Sequence, residues 1–207
     1  MLILNNSHYF SQGTTRKCYF HPDNNELCVK IPLTDQGDRT RGLMKNIDRE
    51  NRYYRNLAKK NISWTHLSRY HGDTETNLGY SSVYQLVRDC HGEIAKNLED
   101  YLADKNFVAT HLNELIAALK ELYTYMRDNQ ILTTSLQPRN IVLNPIANQF
   151  KLIIIDDIGN SEFIRISEFI AIFARKKIDR KWRRMLTLIQ SSNPFLFQNL
   201  HTDILDH

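Results

Sequence analysis

The clearest element in the sequence is one amphipathic helix: over residues 108–126, Leu112, Leu115, Ile116, Leu119, Leu122, Tyr123 and Met126 fall on a single stripe. The stripe needs a partner layer, and the chain offers a different kind on either side of it. Before it the pattern is strand-like. Tyr9-Phe10, residues 17–20 and residues 27–31 read as three strands, with His21-Pro22-Asp23-Asn24-Asn25 as the turn of a hairpin. A polar loop holding Gly37 and Gly42 leads to a helix over residues 44–60, where Ile47, Tyr54 and Leu57 recur at helical spacing and Asp48 faces Arg52 one turn on. Residues 83–87 make a short apolar strand. After the long helix, which closes at Asp128-Asn129, residues 141–143 and 151–155 are predicted to pair as a hairpin about a turn at 144–148, and the chain from about Ile166 is helical by pattern. Strands first and helices later give an α+β class with two lobes, 1–88 and 89–207, and a boundary at 88–92.

Length and composition exclude several classes. With 207 residues, 42% hydrophobic and 24% charged, and only seven Gly and five Pro, the chain is neither disordered nor collagen-like and buries a core of its own. No segment of 20–50 residues repeats. No apolar run approaches the ~20 residues of a membrane span, and the start lacks the basic and apolar regions of a signal peptide. The expectation is a cytoplasmic protein with no transmembrane segment. Cys18, Cys28 and Cys90 are odd in number and form no C-x-x-C pair, so they read as free thiols rather than a disulfide framework or zinc site.

Four features then fall in order. Ser11-Gln12-Gly13-Thr14-Thr15-Arg16 lies between two strands; Lys30 sits on the third strand, sharing a face with Cys28 while Leu27, Val29 and Ile31 take the other; Glu50 lies on the following helix. Leu136-Gln137-Pro138-Arg139-Asn140-Ile141-Val142-Leu143 follows the long helix, and Asp156-Asp157-Ile158-Gly159 ends an apolar strand. That order resembles the protein-kinase-like fold: a glycine loop over phosphates, a strand lysine with a helix glutamate, a catalytic loop ending in asparagine, and a metal-binding aspartate. At finer grain, Gln12-Gly13, Arg16, Cys18-Tyr19, His21-Pro22 and Cys28-Val29-Lys30 resemble the bacterial YrbL family of PhoP regulatory network proteins.

The resemblance implies a small bilobal kinase-like fold, strand-rich in the N-lobe and helical in the C-lobe, that binds ATP and Mg²⁺. It assigns Gly13, Arg16, Lys30 and Glu50 to the nucleotide, with Glu50 fixing Lys30, and Asn140 with Asp156 or Asp157 to the metal. Asp156 fits an apolar strand ending in Asp; Asp157 fits D-x-G. Two departures matter. Only Gly13 remains of the three loop glycines, with Ser11 and Arg16 at the outer places. Ser135 stands where the kinase loop has its catalytic aspartate, and a serine hydroxyl of ordinary acidity is no general base near neutral pH, which costs about 10²- to 10⁴-fold in rate. Asp157 is the candidate to stand in for that base. The resemblance also implies a PhoP-linked regulatory role with weak or absent phosphoryl transfer.

A second signal is residues 175–184, which carry seven positive charges and one negative. With Ile172, Phe173, Ile178, Trp182, Met185 and Leu186 as the buried side, Lys177, Lys181, Trp182, Arg183 and Arg184 are candidate residues for an anionic partner: RNA or DNA phosphates, a lipid surface or an acidic protein. The alternative function is therefore a non-catalytic interaction protein on a degenerate kinase scaffold.

Overall fold

The computed structural model describes residues 1–34, 38–146, 149–160 and 171–204. The chain forms two compact units, Met1–Asn61 with Ser68–Val87, and Ile62–Leu67 with Arg88–His207.

The first unit is a five-stranded antiparallel sheet with one helix. Strands β1 (Tyr9–Gln12), β2 (Arg16–His21), β3 (Asn24–Pro32), β4 (Tyr70–Thr76) and β5 (Gly79–Gln85) lie in the order β1-β2-β3-β5-β4, and helix α1 (Asp38–Lys59) connects β3 to β4. Register sets what each face carries. Lys30 is paired with Cys18 on one side and Ser82 on the other, and Cys28 with Phe20 and Tyr84, so these side chains share one face. The opposite face packs Tyr19, Val29, Ile31 and Val83 with Leu4 into an apolar cluster. Leu4 is held there by Asn77, whose side chain accepts from the Leu4 N–H at 2.7 Å and donates to its carbonyl at 2.9 Å. Helix α1 covers the polar face with Glu50, Asn51 and Tyr54, the last with its ring 5.6 Å from that of Tyr84.

Three expectations change here. Gly42 lies inside α1 rather than in the loop before it. Glycine costs about 1 kcal/mol in a helix interior, which the apolar stripe of Ile47, Tyr54 and Leu57 outweighs. Strand β4 carries His71, Asp73, Thr74 and Glu75, so composition hides it and only its pairing with β5 reveals it. Strand β5 begins at Gly79 and ends at Gln85, earlier at both ends than the apolar run over 83–87 suggests.

The second unit contains helices α2 (Leu98–Ala103), α3 (Lys105–Thr110) and α4 (Leu112–Asp128), a 3-10 turn at Pro138–Asn140, strands β6 (Ile141–Ile146) and β7 (Gln149–Ile154), and helices α5 (Ala171–Ser192) and α6 (Pro194–Ile204). The helix expected over 108–126 is two helices, broken at His111, whose φ of −114° and ψ of 31° are not helical. Asp104 caps the start of α3 by accepting from the N–H groups of Asn106 and Phe107. Strands β6 and β7 pair as the expected hairpin, Ile141 opposite Ile154; turn residues 147–148 lie outside the described residues, as do 166–170 of the expected helical tail.

Segment Ile62–Leu67 is tied into this unit. His66, 2% exposed, hydrogen-bonds the Leu152 carbonyl through Nδ1 at 2.7 Å and Glu121 through Nε2 at 3.0 Å, and the Tyr125 hydroxyl donates to the Ser63 carbonyl at 2.5 Å. Helix α5 buries Ala174, Lys177, Ile178, Trp182, Met185, Leu186 and Ile189. Ile172 and Phe173, expected on that buried side, are 65% and 50% exposed, because steps of about 100° per residue carry them to the opposite arc. No helix among the described residues is long and apolar enough to cross a membrane.

Candidate functional site

In the first unit, strand register delivers two buried cations to the face that α1 covers. Arg16 opens β2 and is 5% exposed; its guanidinium pairs with Glu50 at 3.0 Å and donates to the Tyr84 hydroxyl at 3.3 Å. Lys30, 7% exposed, holds its Nζ 4.8 Å from the centre of the Tyr84 ring, on the negative face of the π-system. The Tyr84 hydroxyl donates to Asn51 at 2.9 Å, and the Asn51 amide donates to Asp73 at 2.7 Å and Ser82 at 2.8 Å. Ser82 donates to the same Asp73 oxygen at 2.8 Å. Two cations and two carboxylates are thus knitted by neutral groups into one network, the arrangement buried charge requires.

Glu50 therefore meets Arg16, a partner the sequence does not announce. The pairing depends on Arg16 being the residue at which β2 begins, opposite Pro32, and strand starts are the least legible part of a pattern. Gly13 has its N–H committed to the Arg16 carbonyl at 2.9 Å, and a Cβ there would meet that oxygen only at 3.8 Å. The turn at Gly13 leaves room for a side chain, so it is not a place where only glycine fits.

In the second unit the candidate residues converge on a loop crossing. Thr133 bridges Ile158, the Thr134 N–H donates to the Asp157 carbonyl at 2.8 Å, and the Gly159 N–H donates to the Leu132 carbonyl at 2.8 Å. This backbone ladder fixes Asp157, whose φ of 60° lies in the left-handed region that aspartate enters more readily than most residues. The Asn140 amide donates to Asp157 Oδ2 at 2.7 Å, and Thr134 Oγ1 lies 3.3 Å from Oδ1. Asp156 instead turns Oδ1 onto the Asp157 N–H at 2.9 Å. Of the two aspartates, Asp157 is the one brought to Asn140. Ser135 accepts from the Gln137 side chain at 2.5 Å.

Helix α5 reaches into this crossing. Lys177, 3% exposed, donates to Asn160, and Lys181 donates to the Thr134 carbonyl. Burial pushes the Lys181 amine below its usual pKa, with Arg184, Lys177 and Arg180 adding to the effect and Asp157 opposing it. Trp182 is 1% exposed and packs its ring 4.9 Å from Tyr123. Of the five residues expected to face an anionic partner, Lys177, Lys181 and Trp182 thus point inward and only Arg183 and Arg184 are exposed. Charge content alone does not tell which side of a helix a lysine takes. Thr134, Asn160 and Asn51 are site residues that sequence reasoning missed; each acts through local hydrogen bonds and carries no motif.

Among the described residues no three His, Cys, Asp or Glu side chains gather as a metal cluster. The donors at the crossing are an amide and adjacent carboxylates, all hard oxygens. Mg²⁺ takes such a set, one or two carboxylates completed by waters and phosphate, so these residues fit that ion.

Comparison with known proteins gives the family and the fold. The family described as PhoP regulatory network protein YrbL matches residues 2–190. The YrbL proteins of Escherichia coli K12 and Shigella flexneri are each 32% identical over 187 residues, covering 90% of this chain and 87% of theirs. A solved kinase domain superposes with a TM-score of 0.51 at 15% identity over 76% of this chain. The match spans 52% of that domain, about half its length, and makes the fold of this α+β chain kinase-like.

Proposed function

The chain belongs to the YrbL family of PhoP regulatory network proteins, and from that membership we propose a kinase-like regulatory protein of a bacterial PhoP-linked response that binds ATP with Mg²⁺ and transfers phosphoryl groups slowly or not at all. The observation that carries this reading is the Asn140 amide on the Asp157 carboxylate at 2.7 Å, in a crossing beside Ser135, the residue that the kinase resemblance sets in the place of the base. Asn140 and Asp157 would hold the metal, with Asp156 supporting Asp157 through its N–H. The metal, when bound, neutralises charge on the phosphate oxygens. Lys30 and Arg16 are assigned to the phosphates as fixed cations, and Glu50 keeps Arg16 in place at 3.0 Å. Gly13 contributes shape to its turn rather than an available N–H.

Binding and transfer separate cleanly on these residues. The cations and the Asn140–Asp157 pair serve binding; abstraction of a hydroxyl proton needs a base, which Ser135 does not supply. Asp157 accepts from Asn140, and a carboxylate engaged there and on a metal is a poor acceptor for a further proton. A regulatory module gated by nucleotide is the function this combination supports best.

A thermal-shift titration tests the reading. With Mg-ATP at 100 times its Kd, the wild-type protein should gain about 2.7 kcal/mol, a rise of about 5–10 °C for a chain of this size. Lys30→Ala and Asp157→Asn should each abolish the rise. No rise in wild type would assign the chain to the second reading, a non-catalytic interaction protein on a kinase-like scaffold. Ser135→Asp addresses chemistry: transfer of the ATP γ-phosphate to any acceptor should increase about 10²- to 10⁴-fold, and silence with normal binding would show that the missing base is not the sole defect.

A further inference from the structure

Helix α5 divides its cations between two faces. Lys177 and Lys181 are spent on Asn160 and Thr134 within the unit. Arg175, Lys176, Arg180, Arg183 and Arg184 are all exposed, and none has a side-chain partner among the described residues. The single acid of the segment, Asp179, already accepts from the Tyr123 hydroxyl at 2.8 Å and lies 3.8 Å from Arg127. Arg16, Arg55 and Arg127, by contrast, all meet carboxylates. Five charges with no carboxylate partner among the described residues therefore stand along about 14 Å of helix, at 1.5 Å per residue.

Apolar side chains are exposed at both ends of this basic segment. Ile172 and Phe173 are 65% and 50% exposed one turn before the cations, and Leu188 is 44% exposed one turn after them. A helical wheel places Ile172, Phe173, Lys176, Arg180, Arg183 and Arg184 within one outward half of α5, opposite Ile178, Met185 and Ile189. Nucleic-acid phosphates would engage the cations and leave Ile172 and Leu188 idle, since aliphatic side chains neither pair with phosphates nor stack on bases. A lipid headgroup region uses both kinds: phosphates for the cations, the boundary with the acyl chains for the apolar ends.

We propose that the outward face of α5 docks on an anionic lipid bilayer, with Lys176, Arg180, Arg183 and Arg184 on headgroup phosphates and Ile172 and Phe173 entering the boundary below them. The helix stays packed on its unit through Trp182 and lies along the surface. This surface is independent of the nucleotide reading and stands whether or not ATP binds.

Co-sedimentation of the full chain with vesicles decides it. Binding is expected with phosphatidylcholine vesicles containing about one-third phosphatidylglycerol and not with phosphatidylcholine alone, with release at high salt. Arg180→Ser, Arg183→Ser and Arg184→Ser together should lower the partition coefficient about 100-fold, with the melting temperature unchanged because these side chains are exposed. Phe173→Ser should weaken binding while leaving its salt dependence intact, separating insertion from charge. Absence of binding to anionic vesicles overturns the proposal, as does equal binding to neutral ones. Retention of single-stranded RNA or duplex DNA by a protein that ignores vesicles overturns it in favour of nucleic acid.

Discussion

The two buried polar assemblies of this molecule are held in place by different means. In the first unit, Arg16, Lys30, Glu50, Asn51 and Tyr84 sit on regular elements, and strand register with the face of α1 decides where each points. In the second, Asn140, Asp157, Thr134 and Ser135 lie on or beside loop backbone, with one residue at a φ of 60°. The first is an electrostatic construction in which Arg16 answers Glu50 and Lys30 sits over the Tyr84 ring, so that loss of Glu50 strands Arg16 in the interior. The second is a backbone construction, where the ladder between Thr133 and Ile158 survives changes in the side chains it presents. Stability should be sensitive in the first and ligand binding in the second.

The largest effect expected is from Glu50→Ala. Removing the acid leaves Arg16 charged and 5% exposed, which should cost about 3–5 kcal/mol in urea denaturation. Replacing both partners, Arg16→Met with Glu50→Leu, should restore most of that loss, since a buried pair exchanged for apolar groups is often neutral. A single-variant cost under about 1 kcal/mol would break the contrast with the second unit. Next comes Asn51→Ala, which removes the amide shared by Tyr84, Asp73 and Ser82 and should cost about 1–3 kcal/mol by the same measurement.

Asp157→Asn should sharpen the contrast from the other side. Asparagine tolerates the left-handed backbone, so the stability change should stay within about 1 kcal/mol while the Mg-ATP thermal shift disappears. The smallest effect is in alkali. Partial desolvation of the half-exposed Tyr80 phenol, then Asp73 through a hydrogen bond and its charge, pushes it up to about 12. The folded protein thus holds that proton more tightly than the unfolded chain, whose tyrosine titrates near 10. The stability contributed by Tyr80 is complete below pH 10 and is lost as pH rises through about 12. In Asp73→Asn, the phenolate absorbance of Tyr80 should appear closer to pH 10; an unchanged titration would remove Asp73 as a cause of the shift.

The same contrast governs what the sequence could reveal. Period-two alternation places Lys30 and Cys28 on one face of β3, and helical spacing places Glu50 on α1, so the ingredients of the first assembly are legible. Their pairing is not, because Arg16 meets Glu50 only through the start of β2 and the packing of α1, which are long-range facts. The polar alternation of β4 reads as loop for a related reason: its pairing with β5, not its own hydrophobicity, makes it a strand. In the second assembly, D-x-G and the asparagine of the loop stand out as motif, and Asp156 and Asp157 remain equal until the left-handed backbone turns one of them to Asn140. Residues 175–184 teach the same lesson about charge. Ten residues rich in Lys and Arg turn Lys177 and Lys181 inward and leave Lys176 and the arginines outward, and only the faces packed by Trp182 and Met185 sort them.

The allegiance of Ile62–Leu67 has a practical corollary for anyone wishing to study the halves apart. Because this stretch packs with the second unit while lying inside the sequence of the first, no single scission yields both halves intact. A fragment ending near residue 88 would carry off Ser63 and His66, stripping Tyr125 and Leu152 of their hydrogen-bond partners and exposing Leu67. Chimaeras between relatives would need to graft this stretch together with everything after Val87, as one discontinuous module.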